Sequence, residues 1–298
     1  MNGDKKSESI FGLLVKRFGK KPYKRGKRTS AKIKGIEKRQ KFLIAIFVLA
    51  LGLLIVEHQF SRSGLYSALA LSFLTEVFLF WALRQDIKEN KSGNLFILPF
   101  FYTLGFSLFY FSLRFGFLYF TPASLVSQLI WTALYAFGLY SMFLSQNIFA
   151  VASIRTIALL SGARIVSFVL TLLTYFFLTN ITFTLHLSIY FTVIIFAIYT
   201  FFLVSQSLWT YRLVKETRAS IIWTAAVTLC LVEMATMLWF WPSSPTVIAI
   251  FLSGFFYTLV GLSHVWLERR LFRGVLWEYV WVGAIVFFAL LLFSPLGQ

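Results

Sequence analysis

The sequence predicts an all-α protein: a polytopic transmembrane helical bundle of about nine spans, with its N-terminus in the cytoplasm and its C-terminus outside. Three observations predict it. The chain is 59% hydrophobic and 13% charged, with a mean hydropathy of +0.79, whereas a soluble domain usually carries about 25% charged residues. The apolar excess comes in blocks near the roughly 20 residues a helix needs to cross hydrocarbon, without the strict alternation of a membrane β-barrel. Finally, the Lys and Arg residues outside those blocks gather on alternate connecting segments.

The first element is a basic tail. Residues 1–41 hold 15 Lys and Arg against Asp4, Glu8 and Glu37, and so carry +12 of the net charge of +17. Within the tail Ile10, Phe11, Leu14 and Phe18 recur at helical spacing beside Lys16, Arg17, Lys20 and Lys21. This pattern predicts a short helix lying on a membrane surface, followed by an unstructured basic stretch. The four cations are candidates for holding lipid head groups, at about 1 kcal/mol per basic residue near an anionic surface. The tail's charge also enforces topology. Contact with RNA is a weaker expectation, since no RNA-binding fold is present.

The transmembrane domain, 42–298, divides into spans at 42–56, 64–83, 95–113, 122–145, 157–179, 187–206, 219–241, 245–263 and 275–294. The first is short and reads as a retained signal anchor, because the basic region before it is too long for a cleaved signal. With the tail inside, the inner loops hold Arg84, Lys88, Lys91, Arg155, Arg212, Lys215, Arg218, Arg269, Arg270 and Arg273, and the outer segments only Arg62 and Arg114. Omitting one middle span would put later basic loops on the wrong side. Trp241, Trp266, Trp277 and Trp281 fall near span ends, where indole rings favour the interface.

The stretch Lys38-Arg39-Gln40-Lys41-Phe42 running into LIAIFVLALGLLIVE resembles the start of uncharacterised multi-pass integral membrane proteins of bacteria. The resemblance covers the first span and the overall plan. It implies a membrane protein of unknown function and no particular activity.

Ionisable groups inside spans are the leading site candidates, since each costs about 2.5–3.5 kcal/mol to insert. Three qualify: Glu76, Arg164 and Glu233. Glu76 and Arg164 each lie about 10 Å from the inner end of their spans, so an ion pair between them is geometrically open. Glu233 lies nearer the outer face and is the candidate for proton handling. Ser167, Thr171 and Thr174 follow Arg164 on one helix face. Ser124, Gln128, Thr132, Tyr135 and Gly138 make a second stripe, and Ala68, Ser72 and Glu76 a third. Such stripes either line a shared polar cavity or let helices pack closely through small and hydroxylated residues. Packing is the favoured reading.

No cofactor is implied, and no metal site. The one cysteine, Cys230, sits in an apolar block, where it reads as a small hydrophobe. Glu57, His58 and His186 are all expected outside, but interfacial solvation explains them. HExxH, P-loop, dinucleotide-binding and CxxC signatures are missing. Ser253-Gly254 followed by His264 only faintly suggests an intramembrane serine protease, since one straight helix would separate Ser253 and His264 by about 16 Å.

The sequence therefore places the chain in a bacterial-type cytoplasmic membrane, with lipids as partners and no named protein partner. Three function classes stay open. The first is a non-enzymatic scaffold or assembly protein. The second is a transporter of a small or lipidic solute, with a polar pathway near Glu76, Arg164 and Glu233. The third is a lipid-modifying enzyme, which would need clustered acid and base groups near one interface.

Overall fold

Each apolar block forms a helix, because a long run of apolar side chains can leave water only if its backbone N–H and C=O groups are paired within the segment. A computed structural model describes residues 38–59, 64–89, 93–115, 125–152, 159–213, 218–270 and 272–294. Among them the helices are α1 (Lys38–Gln59), α2 (Gly64–Glu89), α3 (Ile97–Phe115), α4 (Leu125–Ala152), α5 (Leu160–Thr184), α6 (Ile189–Arg212), α7 (Arg218–Trp239), α8 (Pro245–Leu267) and α9 (Arg273–Phe293), with a single 3₁₀ turn (Gly93–Leu95) before α3. No strand occurs among the described residues. The basic tail, with Lys16, Arg17, Lys20 and Lys21, lies outside them.

The helices from α2 to α9 are long and apolar enough to cross a membrane, eight in all. The first helix is not among these. It opens on Lys38, Arg39 and Lys41, and its apolar run is shorter than the roughly 20 residues of a full crossing. Several helices outrun the apolar blocks read from the sequence: α4 continues to Ala152, α5 to Thr184 and α6 to Arg212. Helical hydrogen bonding does not stop where the side chains become polar. Chain reversals are set locally. Ser244 caps α8, its Oγ accepting from the Val247 N–H at 3.4 Å with Pro245 at the first helical position, a combination that pre-forms a helix start. Left-handed residues end α6 at Leu213 and follow α8 at Arg269, and His186 between α5 and α6 is also left-handed.

One helix organises the bundle. α5 packs against α3, α4, α6 and α8, and buries Ser167, Leu170, Thr171, Thr174, Tyr175 and Leu178 in successive turns. Around it, α1 and α2 pack on each other and on α4, and α7 packs on α6 and α8. The aromatic surplus fills this interior: Tyr102, Tyr135, Tyr175, Phe143, Phe149, Phe196 and Phe256 are fully buried. Tyr102 lies over Gly138 so closely that a Cβ there would overlap its hydroxyl.

α9 is peripheral. Only 6% of its apolar window is buried, and it rests on α8. Two glycines make the seat. A Cβ at Gly254 would lie 2.6 Å from a Val286 methyl, and one at Gly261 would overlap the Tyr279 ring. Gly261→Leu is therefore expected to lower the melting temperature in detergent, costing about 1–3 kcal/mol by overpacking. Gly162→Ala on α5, where nothing lies within 4 Å of the new Cβ, should instead stabilise by about 0.5–1 kcal/mol. Equal effects from the two substitutions would contradict this seating of α9.

Candidate functional site

Among the described residues, charged and hydrogen-bonding side chains gather where the C-terminal turns of α6 and α8 meet the start of α5. Helix ends leave carbonyls without intrahelical partners. At the end of α6, the left-handed Leu213 returns its N–H to Trp209 O at 2.8 Å. Arg164, reaching across from α5, takes the next two carbonyls: its Nε donates to Thr210 O at 3.1 Å and its Nη2 to Tyr211 O at 3.0 Å. The third arm, Nη1, meets Glu268 Oε1 at 3.4 Å. Glu268 also faces Arg270 at 3.9 Å. A planar, five-donor guanidinium suits this three-way task, and a cation complements a helix C-terminus.

An aromatic stack continues the site inward. Arg164 lies over the Tyr211 ring at 4.9 Å, and the other face of the cluster stacks Tyr211 on His264 at 3.9 Å and 15°. Phe168 closes edge-on against His264. His264 Nε2 is 3.1 Å from Ser207 Oγ. Gln206 Nε2 donates to Ser167 Oγ at 3.4 Å, and Trp223 Nε1 to Ser263 Oγ at 3.2 Å. The cluster thus joins α5, α6, α7 and α8 by polar contacts. A hydroxyl within reach of an imidazole is the first element of a nucleophile–base pair. Here, however, Ser207 is 3% and His264 4% exposed, so a substrate would reach them only if helices parted.

The three ionisable residues picked out by the sequence are not brought together. The open Glu76–Arg164 pair does not form, because the guanidinium is taken up by α6 and Glu268. Glu76 sits on α2 beside the Phe100 backbone of α3, and its two buried oxygens meet no side-chain partner. Glu233 is exposed on α7, away from the face that buries Thr224, Leu231 and Ala235. Equal depth along two helices says nothing about whether they face each other.

Ser124 lies outside the described residues; the rest of the hydroxyl stripes turn inward, and most of their donors go to their own helix. Ser72 donates to Ala68 O, Thr171 to Ser167 O, Thr174 to Leu170 O and Thr182 to Leu178 O, all between 2.7 and 2.8 Å. Gln128 is half-buried, and its carbonyl accepts from Thr132 at 2.9 Å. Where hydroxyls link helices the contacts are pairwise: Thr75 with Thr103 at 3.1 Å, Tyr135 to Thr103 at 3.4 Å, and Thr179 with Tyr199 at 3.0 Å.

Three cavities stand out. One of about 370 Å³ lies among α7, α8 and α9, lined by apolar residues such as Met234 and Phe255. Another of about 440 Å³ lies between α6 and α7. A third, of about 230 Å³, has a mixed lining that includes His186, Thr182, Trp239 and Ser243. None is lined by Glu76, Arg164 or Glu233. Among the described residues no three His, Cys, Asp or Glu converge as metal ligands, and the side chains of Glu57 and His58 lie outside them.

The sequence pairs His264 only with Ser253, and does not reveal its contacts with Ser207, Tyr211 and Phe168 or the role of Glu268. Those partners lie on other helices, and no local pattern in the chain announces them. The basic residue Arg164, seven positions from the Ile157 that opened the expected span, was the one visible signal.

Arg164→Leu should cost about 2–3 kcal/mol, because it strips charge-assisted hydrogen bonds from two helix-end carbonyls. Glu268→Gln should cost under about 1 kcal/mol, as its carboxylate is partly exposed. Adding Glu76→Leu should not rescue Arg164→Leu; rescue would mean that the two residues pair after all. Glu76→Met alone should be neutral or stabilising in thermal melts, since it replaces a buried carboxyl that has no side-chain partner with an apolar chain.

No curated protein and no solved structure matches the chain. A family model described as Protein of unknown function (DUF5656) matches residues 45–293, from within α1 to the end of α9. The helical bundle, rather than the basic tail before it, is what this match covers, and the chain belongs to that family.

Proposed function

We propose that this chain is a non-catalytic scaffold of the bacterial cytoplasmic membrane. In this reading all nine helices cross or enter the bilayer, with the tail on the cytoplasmic side. The single observation that carries it is how Arg164 is used. Set where helix ends meet, this guanidinium is committed to two α6 carbonyls and to Glu268, which ties helices rather than meeting a solute. The hydroxyl stripes support the same reading, because a donor returned to the carbonyl four residues back needs no water. Orientation rests on the excess of Lys and Arg in alternate loops. Lys16, Arg17, Lys20 and Lys21 then lie where anionic head groups would meet them.

A second reading, a lipid-modifying or hydrolytic enzyme, is favoured by Ser207 Oγ lying 3.1 Å from His264 Nε2. A fluorophosphonate probe, which labels activated serines, separates the two. The scaffold reading expects no labelling of the purified chain in lipid nanodiscs, and an unchanged cellular phenotype for Ser207→Ala. Labelling that disappears in Ser207→Ala would overturn it in favour of the enzyme.

A further inference from the structure

The cavity of about 370 Å³ among α7, α8 and α9 is an apolar groove with one charged end. On α9 its lining residues Leu276, Val280, Gly283 and Phe287 recur at intervals of four and three, which makes them one stripe of the helix. Arg273, the first residue of α9, stands one turn before Leu276 and heads the same stripe. On α8 the lining runs from Phe251 to Leu262. The two helices run antiparallel: Phe251 meets Phe287 at 6.5 Å, and the Tyr279 ring lies against Gly261. Leu262 and Leu276 therefore mark the same end of the groove. Each run rises about 16 Å from one end to the other. A hydrocarbon core is roughly 30 Å thick, so the groove is about as long as one leaflet is deep. At the Leu262–Leu276 end the chain turns from α8 into α9 through Arg269 and Arg270, with Arg273 just beyond, and all three are exposed. Arg270 faces Glu268 at 3.9 Å, and Glu268 also takes the third arm of Arg164. Arg269 and Arg273 make no ion pair among the described residues, and Glu278 lies off the Arg273 stripe.

Apolar walls one leaflet long and cations at one end match the two halves of an anionic lipid. A guanidinium meets phosphate oxygens with paired N–H groups. Trp266 and Trp277, both exposed beside this end, belong at the level of head groups. We propose that the groove binds one anionic phospholipid of the cytoplasmic leaflet, a single acyl chain lying along α8 and α9 and the phosphate held by Arg269 and Arg273. A negative head group is specified because neither arginine is offset by a carboxylate. The inference rests on the bilayer placement proposed above, with the α8–α9 turn on the cytoplasmic side, and is the same whether the chain is a scaffold or an enzyme.

Native mass spectrometry of the full chain in detergent, titrated with phosphatidylglycerol or with phosphatidylcholine of the same acyl chains, tests this. The wild type should retain one phosphatidylglycerol about tenfold more tightly than phosphatidylcholine, as two cations beside an anionic head group would give. Arg269→Gln together with Arg273→Gln should bring the two lipids level. Changing Lys16, Arg17, Lys20 and Lys21 to Gln should leave the preference in place. A Cβ at Gly283 would stand 3.6 Å from Thr258, so the longer side chain of Gly283→Leu enters the groove and should weaken binding of both lipids. Equal retention of the two lipids by the wild type overturns the proposal. So does a preference that survives loss of both arginines, one that vanishes with the tail cations, or undiminished binding by a folded Gly283→Leu. Should Gly283→Leu fail to fold, the arginine pair, being exposed, decides alone. Failure of the bilayer placement looks different: the purified chain would stay monodisperse without detergent. Failure of the scaffold reading would appear as fluorophosphonate labelling at Ser207, whichever lipid is bound.

Discussion

The structure depends on one constraint: polar groups inside an apolar bundle must find partners within it. Arg164 meets that constraint at the largest scale. A guanidinium on α5 closes the end of α6 and reaches the residue that terminates α8. The same helix presents Ser167 to Gln206, Thr179 to Tyr199 and Asn180 to Thr246. Polar contacts therefore fasten α5 to α6 and α8 near both of its ends, with the Tyr175–Phe256 and Tyr175–Phe196 ring contacts between them. Apolar packing alone would tolerate sliding and rotation between helices. Hydrogen bonds at fixed positions set the register.

The exterior shows the complementary logic. Ile222, Phe191, Tyr190, Phe288 and Leu292 are widely exposed, as suits helices whose surroundings are apolar and as a water-soluble bundle would avoid. α9, seated on α8 by two glycine notches, enlarges that surface more than it enlarges the core.

Much of the fold was legible in the sequence. Each of the apolar blocks became a helix, within a few residues at most starts, because block length and backbone self-pairing are properties of single segments. Helix ends were less legible: α4, α5 and α6 run past their apolar blocks, since backbone hydrogen bonding continues after side chains turn polar. The inward turn of the Ser167, Thr171 and Thr174 face was also readable, from periodicity. The site was not. Arg164 was visible as an anomaly, but its partners Thr210, Tyr211 and Glu268 are fixed by how α5, α6 and α8 pack, and two of those contacts are to backbone carbonyls that no side-chain pattern encodes. The Ser207–His264 contact was hidden for the same reason, since the two residues lie on different helices.

The account's central claim is that the polar stripe of α5 is dry and serves packing. Accessibility of that stripe tests it most directly. Single cysteines at positions 167, 171 and 174, in a chain whose Cys230 is replaced by Ser, would be exposed in intact membranes to a small charged methanethiosulfonate reagent. The account predicts that positions 171 and 174 stay unmodified from either side. Modification of successive positions along that face would reveal a water-filled path through the bundle and contradict it.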